Sequence, residues 1–155
     1  MKARIGRCGA ALAPLLLVAC VTQARAREDE VRGAWKADSY VLKSGEVHHV
    51  EGLMIFSERE WSVVYFVKDA DGKPQRGAGE GGPYTLDGNE LVLTRDYLVI
   101  AGDAIGELRE IPLRFDIPAV KDPVIEPCVI ELGEGRLVIE FPSGNRMGFR
   151  RSSDP

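Results

Sequence analysis

Residues 33–42 read GAWKADSYVL, placing the largest side chain, Trp35, two positions after the smallest, Gly33, and following both with a β-forming run. A tryptophan just inside a first strand buries a large ring at one end of the core that the strand joins, and the glycine lets the backbone turn tightly beneath it. Downstream there is almost no helical period. Short apolar or alternating runs recur instead, at residues 34–42, 46–57, 61–69, 76–86, 89–100, 107–117, 125–132, 136–142 and 146–152. Between them stand turn signals such as Ser44-Gly45, Asp71-Gly72, Asp87-Gly88 and Ser143-Gly144-Asn145. This spacing argues an all-β domain, and Asp-Gly between alternating runs is a strong hairpin signal. Consecutive hairpins build an antiparallel up-and-down meander. Closing it into a single β-barrel, here of about 8–10 strands, removes the exposed edges of an open sheet.

The alternation places one face of each strand inward. Leu137, Ile139 and Phe141 share a face against Val138 and Glu140, and Leu113, Phe115 and Ile117 oppose Arg114 and Asp116. Two runs, LMIF at 53–56 and WSVVYF at 61–66, are apolar on both faces, so their outer side is expected to be covered or to form a flattened patch. Residues 118–127, PAVKDPVIEP, hold three prolines in ten positions. Proline cannot donate to a central ladder, so this segment reads as a loop across one end of the barrel.

The first 26 residues read as an export signal: Lys2, Arg4 and Arg7 precede an apolar run at 8–21 that is too short to span a bilayer. Ala24-x-Ala26 fits ordinary signal cleavage after residue 26. Leu17-Val18-Ala19-Cys20 equally resembles a bacterial lipobox, with residues 1–19 removed and Cys20 lipidated. Residues 27–32 then form a tether to a barrel at 33–152, and the protein is expected to be exported to the periplasm, with or without an outer-membrane lipid anchor. Residues 1–26 contain four of the 20 bases and none of the 24 acids, so the rest carries a net charge of −8. No basic stripe remains for nucleic acid. Of the three cysteines only Cys128 survives both cleavages unmodified, so no internal disulfide can form and the core alone must hold the fold.

The last strand offers Arg146, Arg150 and Arg151. The first and last strands of a closed barrel are neighbours, so an arginine there can lie across the Trp35 indole. The Gly-x-Trp of the first strand, the hairpin meander and an arginine in the final strand resemble the lipocalin and fatty-acid-binding-protein group. They resemble still more the bacterial lipocalin-like domains of calycin type, over residues 31–152. That resemblance implies a structural closing pair, Trp35 with Arg150, and nothing catalytic. The Arg-x-Tyr carboxylate anchor of fatty-acid-binding proteins has no match, because Met147, Gly148 and Phe149 follow Arg146.

Sharper motifs fail on context. Gly77-x-Gly79-x-x-Gly82 matches a dinucleotide fingerprint, but Pro83 and YTLDG follow where a helix must begin. It reads as a glycine-rich strand in which glycines relieve crowding or permit bending. Asp69-Ala70-Asp71-Gly72 opens like a calcium loop, yet Lys73 and Pro74 stand where a ligand and a glycine are needed. His48 and His49 are the only imidazoles, and adjacent strand residues point to opposite faces, so they cannot chelate one metal. No metal or cofactor is expected. Met54, Phe56, Trp61, Tyr65, Tyr97, Phe115, Phe141 and Met147 are the expected cavity lining, with the two tyrosine hydroxyls orienting a ligand. The expected function is non-catalytic binding of a small apolar or amphipathic molecule or lipid. The alternatives are a protein-binding, inhibitor-like module, or a haem-binding or enzymatic barrel using His48 or His49. Oligomeric state is left open by the sequence.

Overall fold

A computed structural model describes residues 27–117 and 122–152. Ten strands account for most of them: β1 (Gly33–Val41), β2 (Val47–Phe56), β3 (Glu60–Lys68), β4 (Pro74–Asp87), β5 (Glu90–Arg95), β6 (Tyr97–Gly102), β7 (Ile111–Asp116), β8 (Val124–Gly133), β9 (Arg136–Glu140) and β10 (Arg146–Arg151). Pairing runs β3-β2-β1-β10-β9-β8-β5-β4, and β3 pairs again with β4, so eight antiparallel strands close a barrel. The architecture is the expected all-β closed barrel and is consistent with a calycin-like fold. The β6–β7 hairpin attaches to it through β4, and among the described residues β7 pairs with β6 alone.

The run at 89–100 divides into two strands because β4 changes neighbour along its length. Arg76 to Gly81 pairs with β6, whereas Tyr84 to Asp87 pairs with β5. The changeover falls at Gly82, where a Cβ would collide with the carbonyl oxygen of Thr94, so only glycine allows the chains to approach. Residues 118–127 also depart from expectation. Residues 118–121 lie outside the described residues, but β8 begins at Val124 and contains Pro127 opposite Val92. Among the described residues the upper half of β8 pairs with β5 only, and a strand with a single neighbour tolerates a residue without an N–H.

A bulge at Asp38 resets the parity of β1, so that Trp35, Ala37, Tyr40 and Leu42 all turn inward. At the lower end the barrel is filled: Trp35, Phe56, Leu91, Ile130, Leu137, Ile139 and Phe149 are all buried. Each such side chain contributes roughly 1.5–3 kcal/mol of burial. Residues 27–32, expected as a tether, instead provide a helical turn at 27–31 whose Val31 is fully buried under this core. The Trp35 indole Nε1 donates to the Val31 carbonyl at 2.7 Å.

The arginine over Trp35 is Arg151, with its guanidinium carbon 4.2 Å from the ring centroid. It also donates to the carbonyls of Arg32, at 2.8 Å, and Glu30. The expectation of Arg150 fails on parity. Trp35 is in direct register with Arg151, whereas Arg150 turns outward and pairs with Asp38 at 3.0 Å. The geometry explains Gly33: its φ is 117°, and a Cβ there would sit 3.0 Å from the Arg151 guanidinium. The opposite end is covered by the β6–β7 connection, residues 103–110. Its Ile105 is buried in the core, and Arg76 donates to the carbonyls of Asp103 (3.2 Å) and Arg109 (2.8 Å).

Candidate functional site

Above the filled half, the barrel keeps a cavity of about 180 Å³. Its apolar wall is built by inward residues of several strands, chiefly Met54, Trp61, Leu93, Leu98, Phe141 and Met147. Five of the eight side chains expected to line a cavity are on this wall: Met54, Trp61, Tyr65, Phe141 and Met147. Phe56 lies deeper, in the filled core, edge-on to Tyr84 with ring centroids 5.1 Å apart.

Tyr97 and Phe115 are outside the barrel. In β6 the inward positions are Leu98 and Ile100, so Tyr97 lies on the outer surface, 42% exposed, with its hydroxyl 2.8 Å from Ser62 Oγ. Phe115 is paired with the outward Val99 and is 72% exposed. The expected inward face of Leu113, Phe115 and Ile117 is corrected: all three are exposed, because β7 is not a wall of the closed ring.

One corner of the cavity is charged. Arg95 Nη1 donates to Glu80 Oε2 at 3.3 Å, and Glu126 completes the lining from β8. Burial, reinforced by the neighbouring Glu126 carboxylate, raises the Glu80 carboxyl above the ordinary range against the opposing pull of Arg95. Two carboxylates and one guanidinium thus line this corner, and the buried Arg76 lies within electrostatic reach of Tyr40 and Tyr65 beside it. Tyr40 and Tyr65 stack beside this corner with centroids 6.3 Å apart. Tyr40 Oη accepts from Asn145 Nδ2 at 3.1 Å. Burial raises both phenols, so both are neutral donors at neutral pH. Phe141 and Ser143 complete the lining on the side of Glu126.

Sequence reasoning overlooked Glu80, Arg95, Glu126 and Tyr40. Strand phase was the available signal. Glu80 is in phase with Ala78, Arg95 with Leu91 and Leu93, and Glu126 with Cys128 and Ile130. A charge on the phase of core residues is exceptional enough to mark a site.

The other candidates are placed elsewhere. His48 lies at the upper rim of β2, its Nε2 3.2 Å from Glu46 Oε1 but without hydrogen-bond alignment, and does not line the cavity. His49 points outward, 3.9 Å from Glu51. Cys128 is buried and donates to the Glu126 carbonyl at 3.6 Å; burial, with Glu126 and Glu80 nearby, pushes its thiol up to about 12. The Asp69 carboxylate accepts from the backbone N–H groups of Asp71 and Lys73 at 2.9 and 2.8 Å, closing the β3–β4 turn. Among the described residues no cluster of three or more His, Cys, Asp or Glu side chains could hold a metal ion. Comparisons with protein-family models, with curated proteins and with solved structures return no match for this chain.

Proposed function

We propose that this barrel is an exported, lipocalin-like binding protein that takes the end of a small amphipathic molecule into its interior without transforming it. The observation that supports this most directly is the cavity itself, a carbon-lined space of about 180 Å³ ending at Glu80, Arg95 and Glu126. Engineered apolar cavities of roughly 150 Å³ admit benzene, so the space suits a ring or a short chain and not a whole long-chain lipid. Apolar burial supplies affinity, and the charged corner fixes orientation. Arg95 is paired with Glu80, which leaves the Glu126 carboxylate to receive a polar group that brings donors or positive charge, such as a primary ammonium. On this reading residues 1–26, outside the described residues, act as an export signal, and the protein works in the periplasm or, through Cys20, on a membrane. Neither histidine takes part in this reading.

The test uses protein recovered from an exporting host, with native mass spectra compared with denaturing ones after soaking in short alkyl amines and chain-matched carboxylates. A retained amine adduct that weakens in Glu126→Gln is expected. Equal retention of the carboxylates would refute the polar-end assignment, and no adduct under any condition would refute the binding reading.

A further inference from the structure

The outer surface of β3, β4, β6 and β7 bears a groove of about 510 Å³ with an almost wholly apolar lining. Gly77 and Gly79 form its floor, Val64 and Phe66 one bank, and Tyr97 and Val99 the other. Leu113 and Phe115, 64% and 72% exposed, form a ridge on β7. Taking about 150–250 Å² for a whole large side chain, these six banks and ridges expose on the order of 600 Å², the upper end for the largest patch on a monomer. Leu53 and Ile55 on β2 extend the face toward the roughly 800 Å² that each partner contributes to a standard interface.

We infer that this face joins two copies of the chain, with the β7 ridge of each seated in the glycine groove of the other. The register supports this occupant. Gly79, Val99 and Phe115 stand in one row across β4, β6 and β7, and Gly77 and Ala101 share the next row. Groove and ridge therefore lie on either side of β6, one strand spacing of about 4.8 Å away in each direction. A two-fold axis lying over β6 and parallel to it carries each β7 above the partner's β4 without changing rows, bringing Phe115 onto the partner's Gly79. Val99 and Ala101 of β6 meet their own copies at the axis, while the Tyr97 ring lies over Gly81 toward β3, with its hydroxyl 2.8 Å from Ser62 Oγ. A two-fold contact of this kind is self-complementary and closed. The face also suits a partner of the same charge, because its banks, floor and ridge carry none, whereas the chain from residue 27 onward is strongly acidic.

Gly79 gives an independent argument. A Cβ on Gly77 would crowd the Tyr65 carbonyl at 2.9 Å, and one on Gly81 would collide with Tyr97, so the barrel itself requires those glycines. A Cβ on Gly79 would meet Val64 Cγ2 only at 3.7 Å and the Val63 carbonyl at 4.0 Å, ordinary contacts. Glycine inside a strand weakens it and often marks a close approach of another chain. No crowding within the barrel calls for glycine at 79; the ridge of a second copy does.

Sedimentation equilibrium of protein recovered from an exporting host is expected to give twice the monomer mass at micromolar concentration. Gly79→Leu, which fills the groove, and Phe115→Glu, which charges the ridge, are each expected to weaken the dimer at least about tenfold with unchanged circular dichroism. Phe115→Glu alters an exposed side chain and decides the matter alone if Gly79→Leu misfolds. Wild-type protein that is monomeric at about 100 μM, far above the dissociation constant of a standard interface, overturns the inference. A dimer indifferent to Phe115→Glu overturns it as well. So does a monomer that sediments with phosphatidylcholine vesicles and loses that association in Phe115→Glu, which would assign the face to lipid.

Discussion

Replacing Arg151 by methionine should destabilise the barrel by about 2–3 kcal/mol, whereas the same change at Arg150 should cost about 0–1 kcal/mol. The larger figure follows from two losses. One is a cation held 4.2 Å from the centroid of the fully buried Trp35 ring. The other is the pair of charge-assisted hydrogen bonds to the carbonyls of Glu30 and Arg32, which pin the helical turn at 27–31 under the barrel. Methionine keeps most of the aliphatic stem, so the comparison isolates the guanidinium. Arg150 contributes only an exposed pair with Asp38, which retains Arg136 at 3.5 Å when Arg150 is gone. Arg151→Lys should fall between wild type and Arg151→Met, because it restores a cation over the ring but not a fork that reaches two carbonyls. Urea titrations followed by far-ultraviolet circular dichroism give the free energies, and amide exchange of residues 27–32 should accelerate in Arg151→Met alone. At roughly 3–4 °C per kcal/mol for a domain of this size, the melting temperature should fall by about 6–12 °C. The reasoning fails if Arg150→Met costs as much as Arg151→Met, because the register and parity would then have been assigned wrongly.

Three further outcomes follow from the cavity and its cover. The folded Glu80 carboxyl titrates above its ordinary value of 4.5, so the native state holds its proton longer than the unfolded chain. Its stabilising effect is full below that value and is lost as pH rises through the folded pKa; Glu80→Gln should flatten this decline in urea midpoints measured between about pH 4 and 8. Cys128, buried and with its thiol pushed up to about 12, should resist iodoacetamide at about pH 8 in native protein and react fully in urea, and rapid native alkylation read by mass would contradict that placement. Arg76→Met removes the two donors that hold residues 103–110 over the barrel end, so that loop should become the first site of limited proteolysis at a global cost of about 2 kcal/mol. Unchanged cleavage would show that Ile105 alone secures the loop.

What was legible in the sequence divides along a physical line. Strand phase and turn chemistry are local, so hairpins such as Asp87-Gly88 and the inward set on β9 can be read from adjacent residues. Which strand becomes a wall is not local. Leu113 and Phe115 alternate as a core strand does, yet β7 hangs from β6 outside the ring because β4 leaves β5 for β6 at Gly82, nearly thirty residues earlier. The closing arginine turned on a comparable detail. Arg150 and Arg151 are equivalent in composition, and only the register fixed by Phe149, buried opposite Ala37, places Arg151 on the inward phase with Trp35. The glycines of β4 read as relief of crowding or as points of bending; crowding accounts for Gly77 and Gly81, whereas a Cβ on Gly79 would make only ordinary contacts. The double-faced apolar run at 61–66 belongs to the same surface, since Trp61, Val63 and Val67 fill the barrel while Val64 and Phe66 flank the groove on its other side. Fold and contact surface thus share β3 and β4, the inner phase closing the barrel and the outer phase presenting a face to a second copy.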